Sequence, residues 1–133
     1  MSETHAPQTV SVLAAVSNAM VTLHKEQFGR GPTRAHTNWA GEDSLICVMQ
    51  DALLPAERAM VAMGEGHRVQ ESRMYFQSAS ADSFIASVEA ITGRRVWSFA
   101  SATDAANGVV TEIYHFVPRT ETDGRGPKEP SVT

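Results

Sequence analysis

The chain has 133 residues, 42% of them hydrophobic and 20% charged, with a net charge of −4. That length suits a single domain with a genuine core, and the acidic balance argues against a protein that wraps nucleic acid, which needs a basic stripe. The only cysteine, Cys47, excludes an intramolecular disulfide, so nothing demands an oxidising compartment.

Residues 1–8 read as a flexible N-terminal arm. From Thr4 to His24 there is no Asp, Glu, Lys or Arg, which invites comparison with a signal or membrane segment. No positive n-region precedes it, and Gln8, Thr9, Ser11, Ser17, Asn18 and Thr22 interrupt its apolarity, so neither is expected. A cytoplasmic location without a membrane span is the expectation. Val10, Leu13, Val16, Met20 and Leu23 recur at steps of three and four, one stripe of a helix. Thr9 suits its N-cap, Gly29 or Gly31 the left-handed residue that ends it, and Pro32 forbids continuation. Thr33 to Trp39 and Ser44 to Gln50 then read as paired strands around the turn Gly41-Glu42-Asp43.

Pro55 opens a second helix, with Glu57 in the first turn where negative charge suits the dipole. Gly64-Glu65-Gly66 should break it, since two glycines cost about 2 kcal/mol against alanine. Val69, Arg73, Phe76, Ser80, Phe84, Val88 and Ile91 mark one face of a longer helix, with a bend expected at Ser78-Ala79-Ser80 and an end at Thr92-Gly93. Arg95 to Thr103 and Val109 to Val117 form the second strand pair, and Asn107-Gly108 is a turn signal between them. Pro118 to Thr133 is polar and aperiodic, so residues 118–133 read as a disordered tail after a single domain over 9–117.

A helix, a glycine-arginine turn and a strand pair thus occur twice, and each unit alone has too little apolar surface to hide. The predicted fold class is α+β, in two layers. Its order is α-β-β-α-α-β-β, giving a four-stranded, mainly antiparallel sheet with helices on one face. The last three strands are apolar in both alternating phases: Leu45, Cys47 and Met49 against Ile46 and Val48; Trp97 and Phe99 against Val96, Ala100 and Ala102; Ile113 and Val117 against Val110, Tyr114 and Phe116. A sheet with one wet face alternates cleanly. The second face is therefore expected to be covered by another subunit, making a homodimer, with Trp97, Phe99, Tyr114 and Phe116 as interface candidates.

The junctions and element order resemble the MpsC/YbcI-like family, a bacterial domain of unknown molecular function. The matching pieces are Phe28-Gly29-Arg30-Gly31-Pro32 with the strand pair after it, Leu53-Leu54-Pro55-Ala56-Glu57, the long helix ending Ile91-Thr92-Gly93, and Glu112-Ile113-Tyr114. They cover residues 10–117, and the Gly-Arg-Gly-Pro junction combined with the Leu-Pro-Ala-Glu helix start is the most specific part. The chain departs from the family at Gly64-Glu65-Gly66 and in the serine-rich middle of the long helix, which look looser than the family's charged helix. The resemblance implies an accessory or regulatory role, with a membrane-transport or regulatory protein as partner. The system it points to is sodium-linked and generates membrane potential, with transport components that resemble bicarbonate uptake machinery.

No catalytic constellation, phosphate-binding loop or metal motif of recognisable spacing is present, so no catalytic residue, cofactor or metal is assigned. Gly29, Gly31, Pro32 and Gly93 read as structural turn residues. Arg30 and Arg34, with Arg94 and Arg95, would suit an anion held in a backbone nest. Both junctions follow a helix C-terminus, whose partial negative charge repels anions, so arginines that cap helix carbonyls are the preferred reading. An anion or small-ligand sensor built on these arginines is the alternative. A second alternative is an enzyme using His36, His115 and Glu112, although strand histidines are more often half-buried polar residues. His67 and Glu71 supply only two metal ligands and read as a surface contact. Cys47 reads as an inert core thiol, and Met60, Met63 and Met74 as core filling with a partner groove as the alternative.

Overall fold

The computed structural model describes residues 5–119, with side chains from residue 12 onward. Helix α1 is His5–Phe28. It starts four residues ahead of Thr9, which is therefore not its cap, because Pro7 falls in the first turn where proline is tolerated. His5 to Gln8 of the expected arm belong to this helix, residues 1–4 lie outside the described part, and so does the expected tail from residue 120 on. From Leu13 on the apolar stripe works as read: Val16 and Met20 are fully buried, with Leu13 and Leu23 packed beside them, while the side chain of Val10 lies outside the described part. Gly29 ends the helix with φ +89° while its N–H donates to Lys25 O at 2.8 Å. Gly31 is not left-handed. It is held small instead by the backbone beside it, since a Cβ there would lie 2.8 Å from Val21 O.

Strands β1 (Arg34–Trp39) and β2 (Ser44–Gln50) form the first antiparallel pair. Helix α2 (Pro55–Ala62) opens with Glu57 Oε1 accepting the Leu54 N–H at 2.7 Å. It stops at Met63, and Gly64 at φ +82° turns the chain into α3 (Gly66–Thr92). This helix runs unbroken through Ser78-Ala79-Ser80, so the serines thin its apolar face without ending it. Gly93 closes it at φ +71°. Strands β3 (Val96–Asp104) and β4 (Val109–Phe116) follow.

The four strands form one antiparallel sheet in the order β1-β2-β4-β3, as the α+β reading requires. The two halves join where β2 pairs with β4. Leu45, Cys47, Met49, Val110, Tyr114 and Phe116 project toward the helices and are buried with Val16, Met20, Phe84 and Val88 in the main core. A smaller cluster of Leu53, Val69 and Ala105, flanked by Met60 and Val61, seats α2.

One irregularity redirects a side chain. The β3–β4 register slips between Val96 and Ser98, a β-bulge. Two residues apart, Trp97 and Phe99 would share a face in a regular strand. The bulge separates them: Phe99 packs on Tyr114 in the core, and Trp97 turns to His115 on the opposite face.

Candidate functional site

One face of the sheet is covered by none of the described helices, and the register fixes its surface row by row. His36 stands beside Val48, Thr111 and Ala102; Asn38 beside Ile46, Ile113 and Ala100; Ser44 beside His115 and Ser98. Arg34 opposite Gln50, and Asp104 opposite Val109, lie one step beyond the Met49–Val110 pair and end the array. The middle strands thus present Ile46, Val48, Thr111 and Ile113, the outer column of β1 presents polar side chains, and that of β3 presents small ones. Trp97 rises at one corner, 53% exposed. Beside it Ser44 Oγ and His115 Nδ1 lie 2.8 Å apart, and the indole tilts against the imidazole at 6.1 Å.

Of the four expected interface residues, only Trp97 belongs to this face. Tyr114 and Phe116 are buried in the core and Phe99 packs against it. They alternate in the other phase of their strands, and α1 and α3 cover that side.

The glycine-arginine junctions do different work from the helix capping expected of them. Arg30 reaches into the β2–α2 loop, donating to Leu53 O at 2.7 Å, Asp51 O at 3.2 Å and Asp51 Oδ2 at 3.2 Å. Arg94 is buried and donates to Glu42 O at 2.8 Å, Asp43 Oδ1 at 2.6 Å and Val117 O at 3.2 Å, with its guanidinium 4.8 Å from the Phe116 ring centre. Each arginine fastens a distant loop, because a side chain leaving the helix end points away from the helix's own carbonyls. Arg94 also borders an open cavity of about 560 Å³ with Trp39, Glu42 and Arg119. Arg34 and Arg95 are exposed at strand starts.

The histidines of the enzyme reading do not converge. His36 and His115 share the open face but stand two strands and four residues apart, roughly 16 Å. Glu112 lies on the opposite side of the sheet, sealed at 0% exposure. Among the described residues no group of three His, Cys, Asp or Glu side chains is placed to hold a metal. His67 Nε2 approaches Glu65 Oε1 at 3.8 Å on the surface.

Sequence reasoning missed a polar belt through the core. Thr37, Cys47, Glu112 and Ser101 form one transverse row facing the helices. Ser17 on α1 bonds Thr37, hydroxyl to hydroxyl, at 2.7 Å. Tyr114 donates its hydroxyl proton to Glu112 Oε1 at 2.9 Å, and His24 Nε2 stands 3.6 Å from Glu112 Oε2. The other ring nitrogen of His24 meets Met20 O at 2.8 Å. Burial pushes the Glu112 carboxyl up to about 7, against the smaller opposing effect of the Tyr114 bond, and lowers His24. It also raises the Cys47 thiol to about 11, which leaves it protonated. A signal for this belt was in the sequence: Glu112 is in phase with Val110, Tyr114 and Phe116.

Residues 8–117 match the family described as the Na+-translocating membrane potential-generating system (MpsC). The chain belongs to the MpsC family. No curated protein and no solved structure matches it. The matched span of this MpsC-family chain takes in all four strands and α2 and α3, so both the open face and the polar belt lie inside the family domain. No helix among its described residues is long and apolar enough to cross a membrane.

Proposed function

We propose that this MpsC-family chain is a non-enzymatic accessory or regulatory protein of a sodium-linked, membrane-potential-generating system, working in the cytoplasm through protein contacts. The observation that carries this is the uncovered sheet face. Its centre of Ile46, Val48 and Ile113 is apolar, a bulge adds Trp97 at one corner, and polar side chains of β1 (Arg34, His36 and Asn38) border it along one edge. Apolar centre with polar rim is the anatomy of a protein contact surface. The titratable groups with large shifts, Cys47, Glu112 and Tyr114, are sealed in the core where no substrate reaches them, which supports a contact role over turnover. The anion-sensor reading is weaker, because Arg30 and Arg94 already donate to carbonyls and carboxylates.

Affinity capture from native cells with the tagged wild type and with Ile113→Glu tests this reading. Transport subunits of a sodium-linked system should be retained by the wild type and lost from the variant. Equal retention by a folded Ile113→Glu protein would remove the open face as the contact surface.

A further inference from the structure

We infer that the open face binds the same face of a second copy of this chain about a twofold axis parallel to the strands, which sets Arg34 of each copy over the partner's Asp104. This rests on the contact-surface reading above and names a second copy as the occupant of that face when the chain is alone in solution.

The face is complementary to itself. A twofold axis along the strands keeps each transverse row in place and exchanges the columns, so β1 lies over the partner's β3 and β2 over the partner's β4. Down the outer columns His36 then meets the partner's Ala102, and Asn38 meets the partner's Ala100. Trp97 lies over the partner's Ala40, the residue that continues β1 and donates its N–H to Ser44 O at 2.8 Å. Each large side chain faces a small one. In the centre Ile46 meets the partner's Ile113 and Val48 the partner's Thr111, an apolar middle. At the end row, the exposed Arg34 faces the exposed carboxylate of the partner's Asp104. Facing sheets pack about 10 Å apart, a gap that these side chains fill from both sides.

The other aligned face-to-face arrangement, with the axis across the strands, fails on the same residues. It stacks β1 on the partner's β1, so His36 meets the partner's Asn38, large on large. It stacks β3 on the partner's β3, so Ala100 meets the partner's Ala102 and leaves a void. Interiors tolerate neither overlap nor gaps of that kind.

Sedimentation equilibrium of the full chain over a concentration series, alone in solution, tests the arrangement. The wild type should be dimeric, and Arg34→Asp should weaken it at least about tenfold by placing like charges in apposition. The double variant Arg34→Asp with Asp104→Arg should restore the wild-type constant. Asp104 also accepts from Asn107 in its own turn. Arg34→Asp with Asp104→Asn therefore serves as the second rescue, since it removes the like charge and keeps an acceptor. A monomeric wild type overturns the inference and leaves contacts with other proteins standing, to be judged by the capture experiment. A dimer indifferent to Arg34→Asp, or one that neither double variant restores, overturns it as well.

Discussion

Glu112 is a carboxyl held fully buried among apolar side chains on the helix side of the sheet. Burial raises its carboxyl from 4.5 to about 7, so the folded state holds the proton more tightly than the unfolded chain. Its favourable contribution is complete below 4.5 and lost as the pH climbs through about 7. His24, lowered mainly by burial, acts in the opposite sense and costs stability as the pH falls below 6.5. Glu112→Gln keeps an acceptor for the Tyr114 hydroxyl and cannot ionise. In urea denaturation the variant should exceed the wild type by on the order of 3 kcal/mol near pH 8, with the difference vanishing by about pH 4. An advantage equal at both pH values would mean that the carboxyl does not titrate in this window. Gly31 is a residue-scale constraint of another kind, steric rather than torsional. Gly31→Val would press a side chain on Val21 O, and the melt should report a loss of about 1–3 kcal/mol. An unchanged melting temperature would show that this turn can move aside.

At the scale of elements, the docking of α2 depends on a side chain from α3. Arg73 is buried and forks onto Glu57, Nε to Oε2 at 2.8 Å and Nη2 to Oε1 at 2.7 Å, while Nη2 also donates to Ala52 O at 2.8 Å. Its guanidinium lies 3.9 Å from the Phe28 ring centre, which ties in the end of α1 as well. For Glu57, burial raises the carboxyl, but the Arg73 bonds and the Leu54 N–H outweigh it and hold it below 4.5. This contribution is present above 4.5 and is lost as the pH falls below it, opposite in sign to that of Glu112. Arg73→Met should cost about 3 kcal/mol, the low end for a broken buried pair because Glu57 keeps some contact with water. Chemical denaturation at neutral pH measures this, and a loss below about 1 kcal/mol would show that apolar contacts alone seat α2.

For the whole molecule, the two faces of the sheet have separate tasks. The helix side contains the core and the polar belt, and the open side carries the proposed contact surface. If two copies associate only when folded, association stabilises the native state by mass action. The apparent melting temperature should therefore rise with protein concentration, by several degrees between about 1 and 100 μM, and Ile113→Glu should abolish that rise. Scanning fluorimetry at a few concentrations suffices, and a wild-type melt that ignores concentration would count against a folding-linked dimer.

The sequence by itself determined the element order, because periods of three to four and of two, with Gly29, Gly64 and Gly93 as stops, are local properties of the backbone. It also showed that the strands are apolar in both phases, and its junction motifs pointed to the MpsC family. What it did not contain is which residue occupies which face once a strand departs from regularity. The bulge at Trp97 shifted the phase of β3 by one residue, and no local signal distinguishes a bulged strand from a straight one. The destinations of Arg30, Arg73 and Arg94 were equally out of reach, since their partners lie between 16 and 52 residues away. Long charged side chains find whichever carbonyl or carboxylate the packing brings near. Glu112 was readable in phase but not in meaning. A carboxyl inside a core is penalised by burial, and at Glu112 only the hydroxyls of Tyr114 and Ser101 oppose that penalty. That setting exists only once the strands have paired and the helices have closed over them.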